Sequence, residues 1–120
     1  MNRLVSLMFM LALGCSAPAG ARPTKAEDAA ELLRRGGCTL CHRWDRAWIG
    51  PSLEDIAKRY RGAQAPEREA LLLRLRRGVV GNHSPVPMGP CDPSRLNDEE
   101  LRFLIDQIIG PNPPPSAGRP

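Results

Sequence analysis

The sequence predicts a small all-α protein, a compact fold of about four short helices. Segments with apolar residues at helical spacing recur along the chain, and each is preceded by a residue that favours a helix start. A glycine follows each of these segments, and no stretch shows the alternation of apolar and polar residues that is typical of a strand. The chain has 120 residues, which suits one domain.

The first two helices have clear start and stop signals. A capping box over residues 24–27 predicts a helix that begins at Lys25. Gly36-Gly37 end this helix. The pair Gly50-Pro51 then turns the chain, and Ser52 caps a second helix over about residues 53–60.

The third and fourth helices have equally clear boundaries. Pro66 predicts the first turn of the third helix, which Gly78 closes. Asn97 caps a last helix with a strong apolar stripe, and Gly110 ends it. The arginines of the third helix are expected to form a solvated face: Arg68, Arg74, Arg76 and Arg77.

Both ends of the chain are predicted to lie outside the folded domain, which spans residues 22–110. Residues 1–21 have the pattern of a secretory signal, with an apolar stretch too short to span a bilayer, so we expect export to the periplasm. Residues 11–15 also approximate a lipobox, and a membrane-anchored lipoprotein attached through Cys15 stays open as the alternative. Residues 111–120 are rich in proline and are expected to form a disordered tail.

The segment Cys38-Thr39-Leu40-Cys41-His42 points to a specific chemistry. Two cysteines two residues apart, with a histidine directly after them, are the attachment signature of a c-type haem. The thiols of Cys38 and Cys41 would bond to the haem vinyl groups, and His42 would bind the iron. A structural zinc would need two more ligands, which only Cys91 and His83 offer, without a second paired motif. A thioredoxin-like site would need strands nearby. We therefore predict one covalently bound haem c, with a zinc-binding module as the alternative.

The second iron ligand is predicted to come from residues 78–93, a stretch rich in proline and glycine that fits neither helix nor strand. Met88 is the only methionine beyond residues 1–21, and it lies between chain-stiffening prolines. A thioether opposite an imidazole raises the reduction potential, which suits electron transfer. Two alternatives stay open: Met88 as a gap-filling core residue, and His83 as the ligand. A surface position or a contact with a haem propionate is the expected role of His83.

Aromatic residues are few, so a covalent haem would supply much of the apolar core. Five of the 120 residues are aromatic, and a domain of this size has a marginal core without such a staple. Trp44 and Trp48 both follow the haem motif. They are expected to pack in the core, and one or both against the porphyrin edge.

The order of these motifs resembles that of class I cytochromes c. The shared features are Cys38-x-x-Cys41-His42, Gly50-Pro51, Pro87-Met88 and an amphipathic C-terminal helix. In spacing and size, the chain is similar to the small monohaem bacterial type, the cytochrome c-551 group, over about residues 25–110. The resemblance implies a compact fold around one haem, in which the N- and C-terminal helices cross. It also implies that the Pro51 carbonyl accepts a hydrogen bond from the His42 imidazole.

The chain departs from this family at three places. The family often has tryptophan where His83 stands, an aromatic residue late in the last helix where this chain has Gln107-Ile108-Ile109, and proline or asparagine where Cys91 stands. These differences affect the surroundings of the propionates and the potential rather than the fold. Cys91 is expected to be a partly buried thiol, with an intermolecular disulfide as the alternative.

The resemblance implies a monomeric single-electron carrier rather than an enzyme. Its redox partners, a reductase, an oxidase or a dehydrogenase, would dock at the exposed haem edge. The formal charge of +4 suits an acidic partner, and the candidate steering residues are Arg43, Arg46, Lys58 and Arg59. A basic run interleaved with aromatics, as on a nucleic-acid surface, is not found. The alternative function is a haem-based sensor or peroxidase-like protein with an exchangeable sixth ligand.

Overall fold

The computed structural model describes residues 25–80 and 85–111. In these ranges the chain forms four α-helices. They are α1 (Lys25–Arg35), α2 (Leu53–Arg59), α3 (Ala65–Arg77) and α4 (Asp98–Ile109). A short 3₁₀ helix (Cys38–Leu40) follows α1, and an isolated bridge pairs Val79 with Met88. The all-α prediction is confirmed.

Local caps determine where the helices begin. The buried Ser52 hydroxyl accepts a hydrogen bond from the Asp55 amide at 3.0 Å. Asn97 and Glu100 each accept a hydrogen bond from the other's amide at 2.9 Å, which completes a capping box. The predicted starts of α2 and α4 are confirmed, and α3 begins one residue before Pro66. The predicted cap of α1 lies outside the described residues.

Helix α4 is the centre of the core, because it packs against α1, α2 and α3. The buried apolar residues are Ala29, Leu32, Leu33, Leu53, Leu72, Leu96, Leu101, Leu104, Ile105 and Ile109. They include the apolar stripe predicted for α4 except Ile108, which is only partly buried. A Cβ on Gly36 would lie 2.7 Å from Leu96 Cδ1, so the missing side chain lets the end of α1 approach the start of α4.

The predictions for the chain ends fall on residues outside the described ranges. The export signal, Cys15 and residues 112–120 all lie there, so these stay predictions. Between residues 25 and 80 and between 85 and 111, no helix combines the length and apolar character needed to cross a membrane.

Replacing Leu72 with alanine is expected to lower the free energy of unfolding by about 2–5 kcal/mol, because a fully packed leucine leaves a cavity. Leu72 is 2% exposed, whereas the adjacent Leu73 is 47% exposed. Leu73→Ala is therefore the matched control, with an expected loss of about 1 kcal/mol or less. Urea unfolding of the haem-loaded protein, followed by circular dichroism, measures both. Equal losses would contradict the core position of Leu72.

Candidate functional site

One cavity brings the predicted site residues together. Its volume is about 390 Å³, and its wall includes apolar side chains from α2, α3 and α4. The residues predicted from the motifs that line it are Cys38, Cys41, His42, Pro51 and Met88. A wider depression of about 900 Å³, between the start of α3 and the end of α4, contains no cysteine, histidine or methionine. The narrower cavity is therefore the candidate site.

The His42 imidazole rests on the Gly50-Pro51 turn. Its Nδ1 lies 2.7 Å from the Pro51 carbonyl oxygen. A carbonyl can only accept a hydrogen bond, so Nδ1 carries the proton, and Nε2 keeps a lone pair that can bind a metal. A Cβ on Gly50 would lie 2.7 Å from His42 Cε1, so only glycine allows this close approach. The Gly50 amide also donates to the Cys41 carbonyl at 2.8 Å, which ties the turn to the haem motif.

The Met88 backbone is fixed by the chain that leaves α3. Val79 and Met88 exchange two backbone hydrogen bonds, at 2.9 and 2.8 Å. Gly78 has a φ of +82°, and a Cβ there would lie 2.7 Å from the Met88 carbonyl oxygen. Two residues are too short a pairing for periodicity to reveal, so this bridge was not predicted from the sequence.

The two motif cysteines are presented by the short 3₁₀ helix after α1. The amides of Cys41 and His42 both donate to the Cys38 carbonyl, at 3.2 and 2.9 Å, so one turn of chain puts all three residues beside the cavity. Burial raises the pKa of the Cys38 thiol to about 11, and nearby Cys91 adds to the shift. Cys91 is a free thiol that is partly buried against the core, as predicted, and its intermolecular disulfide stays a prediction.

Four polar residues that line the cavity were not predicted as haem-site residues. They are Asp55, Arg59, Tyr60 and Arg74. Arg74 donates to the Tyr60 hydroxyl at 3.0 Å, so the end of α2 and the middle of α3 present a joined pair of donors beside an apolar cavity. The sequence does indicate the position of Arg74. It follows Leu71 by three residues and so shares a helix face with this residue, which lines the cavity.

The two tryptophans have different surroundings. Trp44 is half-buried and packs against the core, as predicted. Trp48 is 60% exposed, and the Arg43 guanidinium lies 5.4 Å from its ring centre, so the expectation of core packing is wrong for Trp48. Neither is among the residues that line the cavity, and haem contact stays a prediction for both. His83 lies outside the described residues.

The zinc alternative finds no support in residues 25–80 and 85–111. Within those ranges, no group of three or more His, Cys, Asp or Glu residues is arranged to hold a metal ion. The residues that line the cavity include two thiols, one imidazole and one thioether, among mostly apolar side chains. That donor set fits a covalently attached haem.

Known proteins share this chain's sequence over most of their length. It is 40% identical over 80 residues to cytochrome c2 of Rubrivivax gelatinosus, across 67% of this chain and 93% of that protein. It is 32% identical over 104 residues to cytochrome c-551 of Pseudomonas aeruginosa, across 87% of this chain and 93% of that protein. The chain belongs to the class I cytochromes c.

The solved structure of wild-type Nitrosomonas europaea cytochrome c552 agrees with this assignment. It matches with a TM-score of 0.59 at 27% identity, over 68% of this chain and 96% of that one. No protein-family model matches the chain. As a cytochrome c, the protein carries one covalently attached haem c and is an electron-transfer protein, not an enzyme. The family resemblance predicted from the motifs is confirmed.

Replacing Gly50 with alanine is expected to lower the free energy of unfolding by about 1–3 kcal/mol, because the new methyl group overlaps the His42 ring. Gly89→Ala is the matched control, since a Cβ there meets nothing within 4 Å. Its expected change is within about 0.5 kcal/mol. Urea unfolding gives the free energies, and circular dichroism in the haem absorption band reports on the ring's surroundings. A Gly50→Ala variant in which the free energy and the haem-band signal are both unchanged would contradict the close contact between Gly50 and the His42 ring.

Proposed function

We propose that this cytochrome c is a single-electron carrier in which His42 and Met88 are the axial ligands of the haem iron. Cys38 and Cys41 hold the haem by thioether bonds. When bound, the haem supplies an iron centre that alternates between ferric and ferrous states. The proposal is carried by one observation: these four side chains all line the same apolar cavity.

The positions of the ligands are determined by the protein chain itself. His42 is hydrogen-bonded to the Pro51 carbonyl, and the Met88 backbone is paired with Val79. Ligands held in this way change little between the two oxidation states, so reorganisation is small and electron transfer is fast. A Met thioether as the ligand also raises the potential relative to a second histidine.

The donor pair beside the cavity suits the haem propionates. Arg74 and the Tyr60 hydroxyl are joined at 3.0 Å, and Arg59 lies near them on the cavity wall. A guanidinium binds a carboxylate by strong, charge-assisted hydrogen bonds. We include Arg74 and Tyr60 in the proposal as propionate contacts, together with the predicted His83.

The mouth of the cavity is marked by apolar residues that are both exposed and part of its wall. Ile49 and Val86 are 41% and 54% exposed. Cytochromes c exchange electrons with redox partner proteins, and we propose that a reductase, oxidase or dehydrogenase docks here. We further propose that the protein is a periplasmic monomer, or is membrane-anchored if Cys15 is lipidated.

The candidate steering charges differ in their surroundings. Arg46 and Lys58 each lie 3.6 Å from an acidic neighbour, Asp45 and Asp55. Arg59 lines the cavity, and Arg43 lies over Trp48. Charges of this kind raise the rate of encounter with an oppositely charged partner and are screened by salt.

A sensor or peroxidase-like protein is the alternative function, and it would need a sixth ligand that leaves the iron readily. The two backbone hydrogen bonds between Val79 and Met88 hold the sulfur-bearing residue in place, which favours the carrier. The spectrum of the oxidised iron separates the two functions, because an open sixth position gives high-spin iron.

Replacing Met88 with alanine is expected to abolish the sulfur–iron charge-transfer band of the oxidised protein, to make the iron high-spin and to lower the potential. The reason is that the sixth ligand is lost. A redox titration followed by visible spectra measures all three. His83→Ala is the matched control, because His83 is the other candidate ligand. The sulfur–iron band should persist in this variant. A band that survives in Met88→Ala, or high-spin iron in the wild type, would contradict the proposal.

Electron transfer with an anionic oxidant is expected to slow as salt rises, because the protein carries a formal charge of +4. Stopped-flow oxidation by hexacyanoferrate, between ionic strengths of about 0.01 and about 1 M, measures the effect. A carboxylate-bearing ferrocenium, which is an oxidant of zero net charge, is the control at matched driving force, and its rate should change little. Equal salt dependence for both reagents would sink electrostatic steering.

A further inference from the structure

Arg76 is the least exposed of the α3 arginines that form ion pairs, and it contacts three separate parts of the chain. Its side chain is 13% exposed, so the expectation of a solvated face is wrong for this residue. Nη1 donates to the Cys91 carbonyl at 2.8 Å, and Nη2 donates to the Leu96 carbonyl at 2.7 Å. Nε and Nη2 donate to Asp98 Oδ1 at 3.0 and 2.7 Å. All three guanidinium nitrogens are therefore used.

The two carbonyls belong to the segment that connects Met88 with α4. This segment, residues 89–97, has no helix and no strand of its own. The Cys91 peptide is held on both sides by the last turn of α3, because its amide donates to the Leu75 carbonyl at 2.8 Å while Arg76 binds its carbonyl. The contact with Asp98 extends the same network into the first turn of α4.

The contacts of Arg76 complement the bridge between Val79 and Met88. That bridge holds the Met88 backbone itself, and Arg76 holds the residues that follow. A planar guanidinium with several donors in fixed directions restrains more than one acceptor at a time. The chain on both sides of Met88 is thus tied to the end of α3.

Other arginine pairs between α3 and α4 lack this connection to the Met88 segment. Arg102 and Glu69 form two hydrogen bonds, at 2.9 and 3.0 Å, between half-exposed side chains. Arg68 pairs with Asp106 at 2.6 Å. No hydrogen bond described for Arg102 or Arg68 reaches a backbone group of residues 88–97. Removal of Arg102 therefore removes a charge and an α3–α4 ion pair without touching the Met88 segment.

We propose that Arg76 is a positioning residue for the iron ligand Met88. By binding the Cys91 and Leu96 carbonyls, it restricts movement of residues 89–97 and so keeps the thioether in the cavity. The inference rests on the proposed role of Met88 as the sixth ligand. It adds that the lifetime of the sulfur–iron bond is controlled by a side chain that lines no part of the cavity.

The test compares Arg76→Met with Arg102→Met in the full haem-loaded protein. The probe is cyanide, which binds oxidised haem iron only after the sixth ligand leaves, and the readout is the rate at which the sulfur–iron band disappears. Arg76→Met is expected to bind cyanide about tenfold faster than the wild type, the factor that corresponds to one lost hydrogen bond to a charged donor. Arg102→Met is expected to bind cyanide at the wild-type rate. Equal acceleration in both variants, or none in Arg76→Met, would overturn the proposal.

Two further measurements keep the result interpretable. Arg76→Lys keeps the charge but offers one nitrogen in place of the three that bind both carbonyls and Asp98. A severalfold faster reaction than wild type is therefore expected even if Arg76→Met fails to fold. A wild-type rate in Arg76→Lys would show that charge alone matters and would overturn the positioning role. Met88→Ala tests the ligand itself: a sulfur–iron band that persists there refutes Met88 ligation, whereas a lost band with unaltered Arg76 variants refutes only the role of Arg76.

Discussion

The packing of α4 against the three other helices is the interaction on which the site depends. α4 contributes Leu101 and Leu104 to the core, while Ile105, Ile108 and Ile109 line the haem cavity. A helix that belongs to both the core and the cavity wall cannot shift without changing the shape of the site. Its start is fixed by the capping box of Asn97 and Glu100, directly after the segment that leaves Met88. The capping box therefore also determines where the segment that follows Met88 ends.

Two glycines let the backbone approach His42 and Met88, the proposed iron ligands, closely. Gly50 lies against the His42 ring and Gly78 against the Met88 carbonyl, and a Cβ at either would come within 2.7 Å of its neighbour. The backbone can approach closely at these points, where the Pro51 carbonyl accepts a hydrogen bond from His42 and Val79 exchanges two with Met88. The protein backbone thus determines the positions of His42 and Met88. A haem whose ligands are held in this way is suited to changing its charge without moving them.

The sequence predicted those features that depend on neighbouring residues. The start of α2 follows from Ser52, and the start of α4 follows from the Asn97 box, because a capping side chain and the amide that donates to it are a few residues apart. The haem motif was equally clear, since its cysteines and histidine lie within five residues. Contacts between distant segments were harder to predict. Arg76 has a charge pattern typical of a solvated face, and it is buried only because residues 91–98 fold over it.

Contacts between side chains were also hard to predict on the surface and in the site. Trp48 looked like a core residue from its type alone, but it pairs with Arg43 in solvent. The donor pair of Arg74 and Tyr60 joins residues 14 positions apart in the chain. The three-residue spacing from Leu71 predicts which face of α3 carries Arg74. The contact with Tyr60 depends on how α2 packs, which the spacing does not predict. Sequence patterns therefore identified the segments of His42 and Met88, which line the cavity, better than the polar residues around them.

The distribution of arginine partners bears on how the carrier meets its partners. Of 17 basic residues only two are lysine, and several arginines bind acidic or backbone groups of the fold: Arg68, Arg76 and Arg102 are examples. The acidic partners of these arginines are already subtracted in the formal charge of +4, so the steering field comes from the basic residues in excess of the acidic ones. The apolar mouth at Ile49 and Val86 remains exposed beside the cavity. Charge complementarity mainly raises association rates, while contact across an apolar patch holds the complex together. A carrier with a small net positive charge and an apolar mouth is thus suited to brief, weakly steered encounters.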